Sequence, residues 1–287
     1  MMKISDNLIS SLAQALRAAV KAGEAVLNVY DSSFAVELKD DRSPLTAADK
    51  RSHEIIVERL NNIPILSEEG KDIPFELRKN WEFFWLVDPL DGTKEFIKRN
   101  GEFTVNIALI RKDSPVMGVI FVPVMGLLYF AAEGLGSFRL DLYRWGRDFD
   151  SATHNQESAD ADWFNRVVSH STRLKVTQKT SPGGSLTIAG SRSHATRELE
   201  EFTEKMEGTY AEIKFIPAGS SLKFCMVSEG NADIYPRFGP TMEWDTAAGH
   251  CIVNESGGEV ISPDSGTSLV YNKPDLRNPS FICRRRD

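Results

Sequence analysis

The first sixty residues alternate between helical and strand spacing of apolar side chains. Apolar positions recur at intervals of three and four from Leu8 onward, which predicts a first helix running to about Tyr30. Residues 34–39 have the composition of a strand, and a loop rich in turn-forming residues follows it. Thr46 then stands three residues before Asp49, the spacing of a capping box, so a second helix is predicted to begin there.

Three apolar segments separated by turns follow in the middle of the chain. They span residues 104–111, 116–123 and 127–132, and they predict strands of an antiparallel meander. Residues 141–184 have poor periodicity and many charged residues, so we expect a partly ordered surface excursion. Within it, Val167-Val168 and its surroundings could form one short strand.

From residue 185 onward, strands and helices alternate. The predicted strands are residues 186–189, 213–216, 232–235, 259–261, 269–271 and 281–283, and the predicted helices are residues 195–206, 221–228 and 245–255. This alternation is typical of an α/β unit, whereas the first half has the pattern of an α+β unit. The prediction is a layered αβαβα sandwich with an N-terminal half (1–140), an insertion (141–184) and a C-terminal half (185–287).

The most informative segment is an apolar run that ends in two carboxylates. Phe83–Val87 is predicted to be a buried strand, Asp88 and Pro89 end it, and Asp91-Gly92-Thr93 opens a short helix. Two carboxylates three residues apart can meet at one point, and Mg²⁺ prefers such oxygen ligands. The free N–H groups of a helix start favour an anion. The alternative is a plain strand end with a proline turn and a capping aspartate.

Further acidic residues stand at the ends of other elements. Glu68 follows a short apolar run, and Asp245 follows Trp244 at the predicted start of a helix. Taken singly, each is equally well explained as a solvated acid or a helix cap. In their order and context, these motifs together resemble the Mg²⁺-dependent, lithium-sensitive phosphatase superfamily of inositol monophosphatase and fructose bisphosphatase. The resemblance covers nearly the whole chain apart from residues 141–184 and implies the αβαβα fold of that superfamily.

The resemblance implies a set of metal ligands. One Mg²⁺ would be held by Glu68, Asp88 and the carbonyl of Leu90, a second by Asp88, Asp91 and Asp245, and some relatives bind a third near Glu68. A physical argument points the same way, because four convergent acids repel one another strongly unless cations neutralise them.

The resemblance also assigns catalytic and phosphate-binding residues. Asp49 and Thr93 would orient the attacking water, and Glu68 would take part in catalysis as a metal ligand. The backbone N–H groups of Gly92 and Thr93 would bind phosphate. Because water is the nucleophile, no covalent phosphoenzyme is expected.

Three later segments each place a cation or hydroxyl beside a predicted helix start or the Asp245 motif. They contain Ser193 and His194, then Ser220 and Lys223, and finally Arg237. Each alone could be a cap or a turn, but together they resemble the bacterial 3'(2'),5'-bisphosphate nucleotidases. That resemblance implies that Ser193 and His194 contact the nucleoside. It also implies that the scissile phosphate is contacted by Asp91, Gly92, Thr93 and Asp245. The distal phosphate of the substrate, adenosine 3',5'-bisphosphate, would be bound by Ser220, Lys223 and Arg237, and hydrolysis would give AMP and phosphate. The implied role is removal of a by-product of sulfate activation.

Length, charge and cysteine spacing limit the class of protein and the kinds of partner that this chain can have. The 287 residues suit one large domain or two closely packed ones, and the net charge of −7 argues against binding of a nucleic-acid polymer. The three cysteines show no metal-binding spacing, and no run is long and apolar enough to span a membrane. We therefore expect a cytoplasmic monomer or homodimer, with peripheral contact to the inner membrane left open.

Two other functions compete with the nucleotidase. An inositol monophosphatase or other sugar phosphatase would share every metal ligand but would have no use for Lys223 and Arg237. A non-catalytic metal-binding regulatory protein is the second alternative, and the intact set of predicted catalytic residues argues against it.

Overall fold

Two large β-sheets organise the protein in a computed structural model that describes residues 6–38, 44–60, 62–149, 157–176, 183–191 and 197–286. The helices are α1 (Asp6–Tyr30), α2 (Ala47–Arg59), α3 (Phe75–Arg78), α4 (Thr93–Ile97), α5 (Leu142–Trp145), α6 (Glu157–His170), α7 (Arg197–Glu207), α8 (Leu222–Glu229) and α9 (Glu243–Glu255). Short 3₁₀ turns span Pro123–Met125 and Gly146–Phe149.

The strands divide among three sheets. In chain order they are β1 (Val36–Leu38), β2 (Pro44–Thr46), β3 (Ile65–Ser67), β4 (Phe83–Asp91), β5 (Thr104–Arg111), β6 (Ser114–Val122), β7 (Leu127–Ala132), β8 (Gly136–Asp141), β9 (Thr172–Leu174), β10 (Ser185–Gly190), β11 (Glu212–Pro217), β12 (Ile234–Arg237), β13 (Gly258–Ile261) and β14 (Phe281–Arg285). Strands β1 and β2 pair with each other alone. Strands β3 to β9 form a seven-stranded sheet in sequence order, antiparallel except for the β3–β4 pair. The five-stranded sheet has the order β11-β10-β12-β14-β13, with β10, β11 and β12 mutually parallel.

The layers follow from the side-chain alternation of the strands. On β4, Trp85 and Val87 face a core shared with α1, α2 and α6, whereas Phe84 and Leu86 face a core shared with α8 and α9. The second core also contains residues of the five-stranded sheet, and α7 packs on the opposite face of that sheet. The order of layers is therefore αβαβα, which confirms the predicted fold class.

A close contact sets the distance between α9 and the seven-stranded sheet. A Cβ atom at Gly118 on β6 would lie 2.3 Å from the backbone oxygen of Ala248, so only glycine allows α9 this close. On the other side of α9, a Cβ at Gly249 would lie 2.4 Å from the ring of Phe224 on α8. The helix that carries Asp245 is thus packed tightly between the sheet and α8.

Residues 141–184 were predicted to form a partly ordered surface excursion, but the part that the structure describes contains a packed helix and a strand of the large sheet. Val167-Val168 belongs to helix α6, not to a strand, and Trp163 and Val167 of that helix are buried in the first core. Strand β9 then pairs with β8 and completes the seven-stranded sheet. Trp163 stacks under the guanidinium of Arg17 on α1, a contact between distant segments that local periodicity cannot reveal.

Two further strand predictions need correction. Residues 269–271 do not form a strand, because the N–H of Leu269 bonds to Val260 while that of Tyr271 bonds to Asp113, so no continuous ladder develops. The strand predicted to stop at Asp88 continues to Asp91 as β4. No helix of the described ranges is long and apolar enough to cross a membrane.

Candidate active site

A β-bulge brings the two central aspartates to one place. The pairing of β4 with β5 shifts register between Asp88 and Asp91, so Pro89 lies inside the strand at an irregularity and does not end it. Ser52 of α2 donates a hydrogen bond of 2.7 Å to the carbonyl of Pro89, and the N–H of Leu90 donates to Oδ1 of Asp88 at 3.0 Å. Two hydrogen bonds therefore stabilise the bulge, one from Ser52 of α2 and one within the bulge to Asp88.

Four acidic side chains surround this bulge, and we call them the acid cluster: Glu68, Asp88, Asp91 and Asp245. Asp88 is only 1% exposed, and its pKa lies well above the usual value, first because of burial and then because of Glu68, Asp91 and Asp245. Its side chain hydrogen-bonds to that of Glu68. Buried acids this close repel one another strongly unless a cation lies among them.

Asp245 reaches the cluster from the start of α9. The helix begins at Glu243, two residues earlier than predicted, and Oδ2 of Asp245 accepts from the N–H of Met242 at 2.9 Å. Glu243 is fully buried and forms a 2.6 Å ion pair with Lys273. Burial raises the pKa of Asp245, and the nearby charge of Asp91 raises it further. The chain thus anchors the first turn of α9 and presents Asp245 to the other acids.

Asp49 and Thr93 lie together, as the sequence suggested. The capping box is present, since both the N–H and the hydroxyl of Thr46 donate to Oδ2 of Asp49 at 2.7 Å. The other oxygen, Oδ1, accepts from the hydroxyl of Thr93 at 3.2 Å. Burial raises the pKa of Asp49, an effect that the hydrogen bonds from Thr46 oppose. One aspartate therefore caps α2 and orients the Thr93 hydroxyl.

A pocket adjoins the acid cluster and brings together six of the predicted site residues. These are Asp91, Gly92, Ser220, Lys223, Arg237 and Asp245. The same wall contains Lys94, Glu95, Ser191, Gly219, Ser221, Phe224, Tyr235, Thr241 and Thr246, which the sequence analysis did not single out. Ser193 and His194 lie outside the described residues, so their predicted contact with the nucleoside stays a prediction.

Gly92 lies at the turn between β4 and α4, where a residue with a side chain would not fit. Its φ of +91° is in the left-handed region, and an added Cβ would lie 3.1 Å from the Cβ of Ser220 and 3.2 Å from the carbonyl oxygen of Glu102. The turn can therefore lie against the segment before α8. The roles of Gly92 and Thr93 as phosphate ligands stay predictions.

Lys223 and Arg237 form the basic side of the pocket, and we call them the cation pair. Lys223 is 4% exposed, and its ammonium donates to the carbonyls of Ala218 at 3.1 Å and Ser220 at 2.6 Å. Burial lowers the pKa of Lys223 to about 8, although the negative charge of Asp91 opposes that change. Arg237 donates to the carbonyl of Pro240, but its buried Nε has no hydrogen-bond partner among the described residues.

Comparison of the sequence and the structure with known proteins identifies the family of this chain. Residues 8–286 match the sequence profile of the inositol monophosphatase family. The chain belongs to the inositol monophosphatase family. It is 41% identical to the 3'(2'),5'-bisphosphate nucleotidase CysQ of Salmonella typhimurium, over 94% of this chain and 98% of that protein. The CysQ of Escherichia coli K12 is also 41% identical, with the same coverage of both chains.

Solved structures of the family have the same fold. The crystal structure of CysQ from Bacteroides thetaiotaomicron superimposes with a TM-score of 0.82 at 43% identity, covering 96% of this chain and 97% of that one. Inositol monophosphatase from Anabaena gives a TM-score of 0.68 at 25% identity, covering 97% of this chain and 91% of that one. Inositol monophosphatase family enzymes are metal-dependent phosphatases, typically using Mg²⁺.

The acid cluster of this family member has the chemistry of a magnesium site. Carboxylate and carbonyl oxygens are the ligands that Mg²⁺ prefers. No Lys, Arg or His side chain in the described ranges forms a direct ion pair with Asp88, Asp91 or Asp245, although Lys223 attracts Asp91 and Arg237 attracts Asp245 over a longer distance. Within those same ranges, no three acidic, histidine or cysteine side chains are already spaced as ligands of one ion. The residues therefore fit the metal in the kind of ligand atoms that they offer.

The sequence analysis missed a set of polar residues behind Asp91. Thr104 and Asn106 of β5 are buried, and together with Ser221 they form hydrogen bonds that reach the Asp91 carboxylate. A signal was present, because Asn106 is an isolated amide in an otherwise apolar strand. Such a residue needs a buried polar partner, but the sequence alone does not identify it.

Proposed function

We propose that this protein is a Mg²⁺-dependent phosphatase that hydrolyses the 3'-phosphate of adenosine 3',5'-bisphosphate to give AMP and phosphate. The observation that carries the proposal is the pocket itself. It joins Asp91 and Asp245 of the acid cluster to the cation pair, Lys223 and Arg237. A substrate with two phosphates matches a pocket with two anion-binding sides. The curated relatives named 3'(2'),5'-bisphosphate nucleotidase support the same substrate class.

The acid cluster would hold two to three Mg²⁺ ions. Glu68, Asp88 and the carbonyl of Leu90 would bind one ion, and Asp88, Asp91 and Asp245 would bind the second. When bound, the ions supply positive charge that attracts the scissile phosphate and neutralises the four acids. Electrostatics favour this assignment, because burial and mutual repulsion raise the pKa values of Asp88 and Asp245 when no cation is close.

Asp49 and Thr93 would orient the attacking water. The Thr93 hydroxyl donates its proton to Oδ1 of Asp49, so its oxygen lone pairs remain available to accept a hydrogen bond from water. Burial raises the pKa of Asp49, which makes its carboxylate a stronger base for the proton passed through Thr93. Gly92 and Thr93 would bind the phosphate oxygens through their backbone N–H groups.

The cation pair would bind the 5'-phosphate. The ammonium of Lys223 uses two of its three protons on the carbonyls of Ala218 and Ser220, so one proton remains for a ligand. The buried Nε of Arg237 is a donor without a partner among the described residues, and such groups are normally satisfied. A phosphate oxygen would satisfy both groups, with the Ser220 hydroxyl nearby. Ser193 and His194 would contact the nucleoside.

The physiological role proposed with this activity is removal of a by-product of sulfate activation in the cytoplasm. The monomer or homodimer state and any peripheral contact with the inner membrane stay predictions of the sequence.

One assay separates this function from its two competitors. Phosphate release is measured with and without Mg²⁺ on adenosine 3',5'-bisphosphate, inositol 1-phosphate and fructose 1,6-bisphosphate. We expect Mg²⁺-dependent release with the highest kcat/KM on the adenosine bisphosphate. Preference for inositol phosphate would establish the sugar-phosphatase alternative. Absence of release from every substrate would favour a non-catalytic metal-binding protein.

A further inference from the structure

A buried amide lies directly behind the acid cluster, away from the pocket wall. Asn106 is 1% exposed and pairs across the β4–β5 ladder with Asp88, while Thr104 pairs with Asp91. The residues that line the pocket include Ser221 but neither of these two strand residues. Asn106 therefore cannot act by touching a substrate bound in that pocket, and any influence must pass through its neighbours.

The hydrogen bonds of Asn106 have only one consistent direction. A carboxylate accepts hydrogen bonds, so the amide nitrogen of Asn106 faces Asp91 and its Oδ1 accepts from the hydroxyl of Thr104 at 2.9 Å. The Thr104 oxygen in turn accepts from the hydroxyl of Ser220, 2.6 Å away. The two protons on Nδ2 go to Oγ of Ser221 at 2.9 Å and to Oδ2 of Asp91 at 3.3 Å. Because Ser221 accepts from Asn106, its own proton is free to be donated to Oδ2 of Asp91, 2.8 Å away.

These bonds converge on one oxygen of Asp91. Its Oδ2 accepts from Asn106 and Ser221, whereas the hydroxyl of Ser220, 3.1 Å away, gives its one proton to Thr104. In the part of the chain that the structure describes, no hydrogen bond to Oδ1 of Asp91 is found. Donors that converge on one oxygen of a carboxylate fix the rotation of that group. One oxygen is thus saturated by the protein, and the other is left for an external ligand.

We propose that Asn106 is a positioning residue of the metal site. Held by Thr104, its amide orients Ser221 and Asp91 so that Oδ1 of Asp91 is the oxygen presented to a cation. The proposal rests on the proposed function in one respect only, namely that the acid cluster binds Mg²⁺. It predicts that disturbing a buried amide outside the pocket changes the affinity of the site for Mg²⁺.

The test is a Mg²⁺ titration of the melting temperature without substrate, together with the half-saturating Mg²⁺ concentration for phosphate release. A ligand that binds the folded state raises the melting temperature by an amount that grows with the logarithm of its concentration relative to Kd, so the first readout needs no catalysis. For Asn106→Leu, we expect both Mg²⁺ midpoints to rise about 10- to 100-fold, the usual effect of removing a partner of a metal ligand.

Variants of Thr104 keep the test decisive if Asn106→Leu does not fold. Thr104→Val removes the hydroxyl that orients the amide, and we expect the Mg²⁺ midpoints to rise about 10-fold, the lower end of the same range. Thr104→Ser keeps the hydroxyl and should match the wild type. Ser137→Ala is the matched control, because it removes a buried hydroxyl that has no hydrogen-bond partner in the described chain.

The outcomes separate the inference from the function on which it rests. Equal Mg²⁺ midpoints in the wild type, Asn106→Leu and Thr104→Val would overturn the positioning role, even if the variants melt at lower temperature. A wild type whose melting temperature does not respond to Mg²⁺ would overturn the metal site and this inference together. Raised midpoints in Thr104→Val, restored in Thr104→Ser and absent in Ser137→Ala, would establish it.

Discussion

Asp91 and Asp245 of the acid cluster line the same pocket as the cation pair, and the fold stabilises the two groups in different ways. The ammonium of Lys223 donates to the carbonyls of Ala218 and Ser220, so the chain itself satisfies most of its hydrogen bonds. In the acid cluster, burial and repulsion raise the pKa of Asp88, which shares a hydrogen bond with Glu68. The difference teaches that backbone carbonyls preorganise the basic side, whereas we expect the acidic side to need added cations.

The largest effect is expected from breaking the acidic side. Asp88→Asn removes a charge assigned to both ions, and we expect turnover to fall about 10⁴-fold or more, since metal stabilisation contributes several kcal/mol and each decade is about 1.4 kcal/mol. The fold should survive, with a weaker melting-temperature response to Mg²⁺. Asp275→Asn, on the surface, is the control. Wild-type activity of folded Asp88→Asn across a Mg²⁺ titration would contradict the two-metal assignment.

A smaller effect is expected where the acidic side meets the water. Thr93→Ala removes the hydroxyl that bonds to Asp49, and we expect kcat to fall about 10²- to 10⁴-fold with little change in KM. Steady-state kinetics on the bisphosphate measure both constants. Thr93→Ser, which keeps the hydroxyl, should recover most of the loss. A change in KM alone would assign Thr93 to substrate binding.

The basic side is tested by comparing two substrates. Arg237→Ala removes the guanidinium whose buried Nε lacks a partner in the described chain. Charge-assisted hydrogen bonds contribute about 1.5–3 kcal/mol, so kcat/KM for adenosine 3',5'-bisphosphate should fall about 10- to 100-fold. The constant for adenosine 3'-monophosphate should barely change. Lys223→Ala should show the same contrast between the substrates.

Arg144→Ala, at a largely exposed arginine, is the matched control for this comparison and should affect neither substrate. Equal losses on both substrates in Arg237→Ala or Lys223→Ala would remove that residue from the distal-phosphate site. The sugar-phosphatase alternative would then be favoured.

The smallest effect is a pH dependence of the basic side. Burial lowers the pKa of Lys223 to about 8, so its positive charge is present at pH 7 and is lost as pH rises through that value. At pH 9 about one tenth of the ammonium remains, and KM for the bisphosphate should rise about 10-fold relative to pH 7. KM for adenosine 3'-monophosphate should not follow. Lys223→Arg keeps its charge in this range, so KM for the bisphosphate should change less with pH in this variant than in the wild type. The same change of KM with pH in both proteins would exclude Lys223 as the titrating group.

The sequence by itself determined the elements whose signals are local. The capping box of Thr46 and Asp49 was visible because the two residues lie within one turn and satisfy each other. The apolar runs before Glu68 and Asp88 predicted strands β3 and β4, because side-chain burial follows the period of a strand. Glu68 follows β3 as predicted, whereas Asp88 lies inside β4 and not at its end.

Only the tertiary structure decided features that depend on contacts between distant segments. Pro89 stays within β4 because Ser52, 37 residues earlier, holds its carbonyl. Trp163 of helix α6 is buried because α1 and the sheet cover it. The weak periodicity of this segment does not predict that contact. The role of Asn106 likewise depends on a serine 115 residues later. Periodicity and capping are short-range and can be recognised in a sequence, whereas burial, bulges and the environment of a charge depend on which distant atoms the fold brings within a few ångströms.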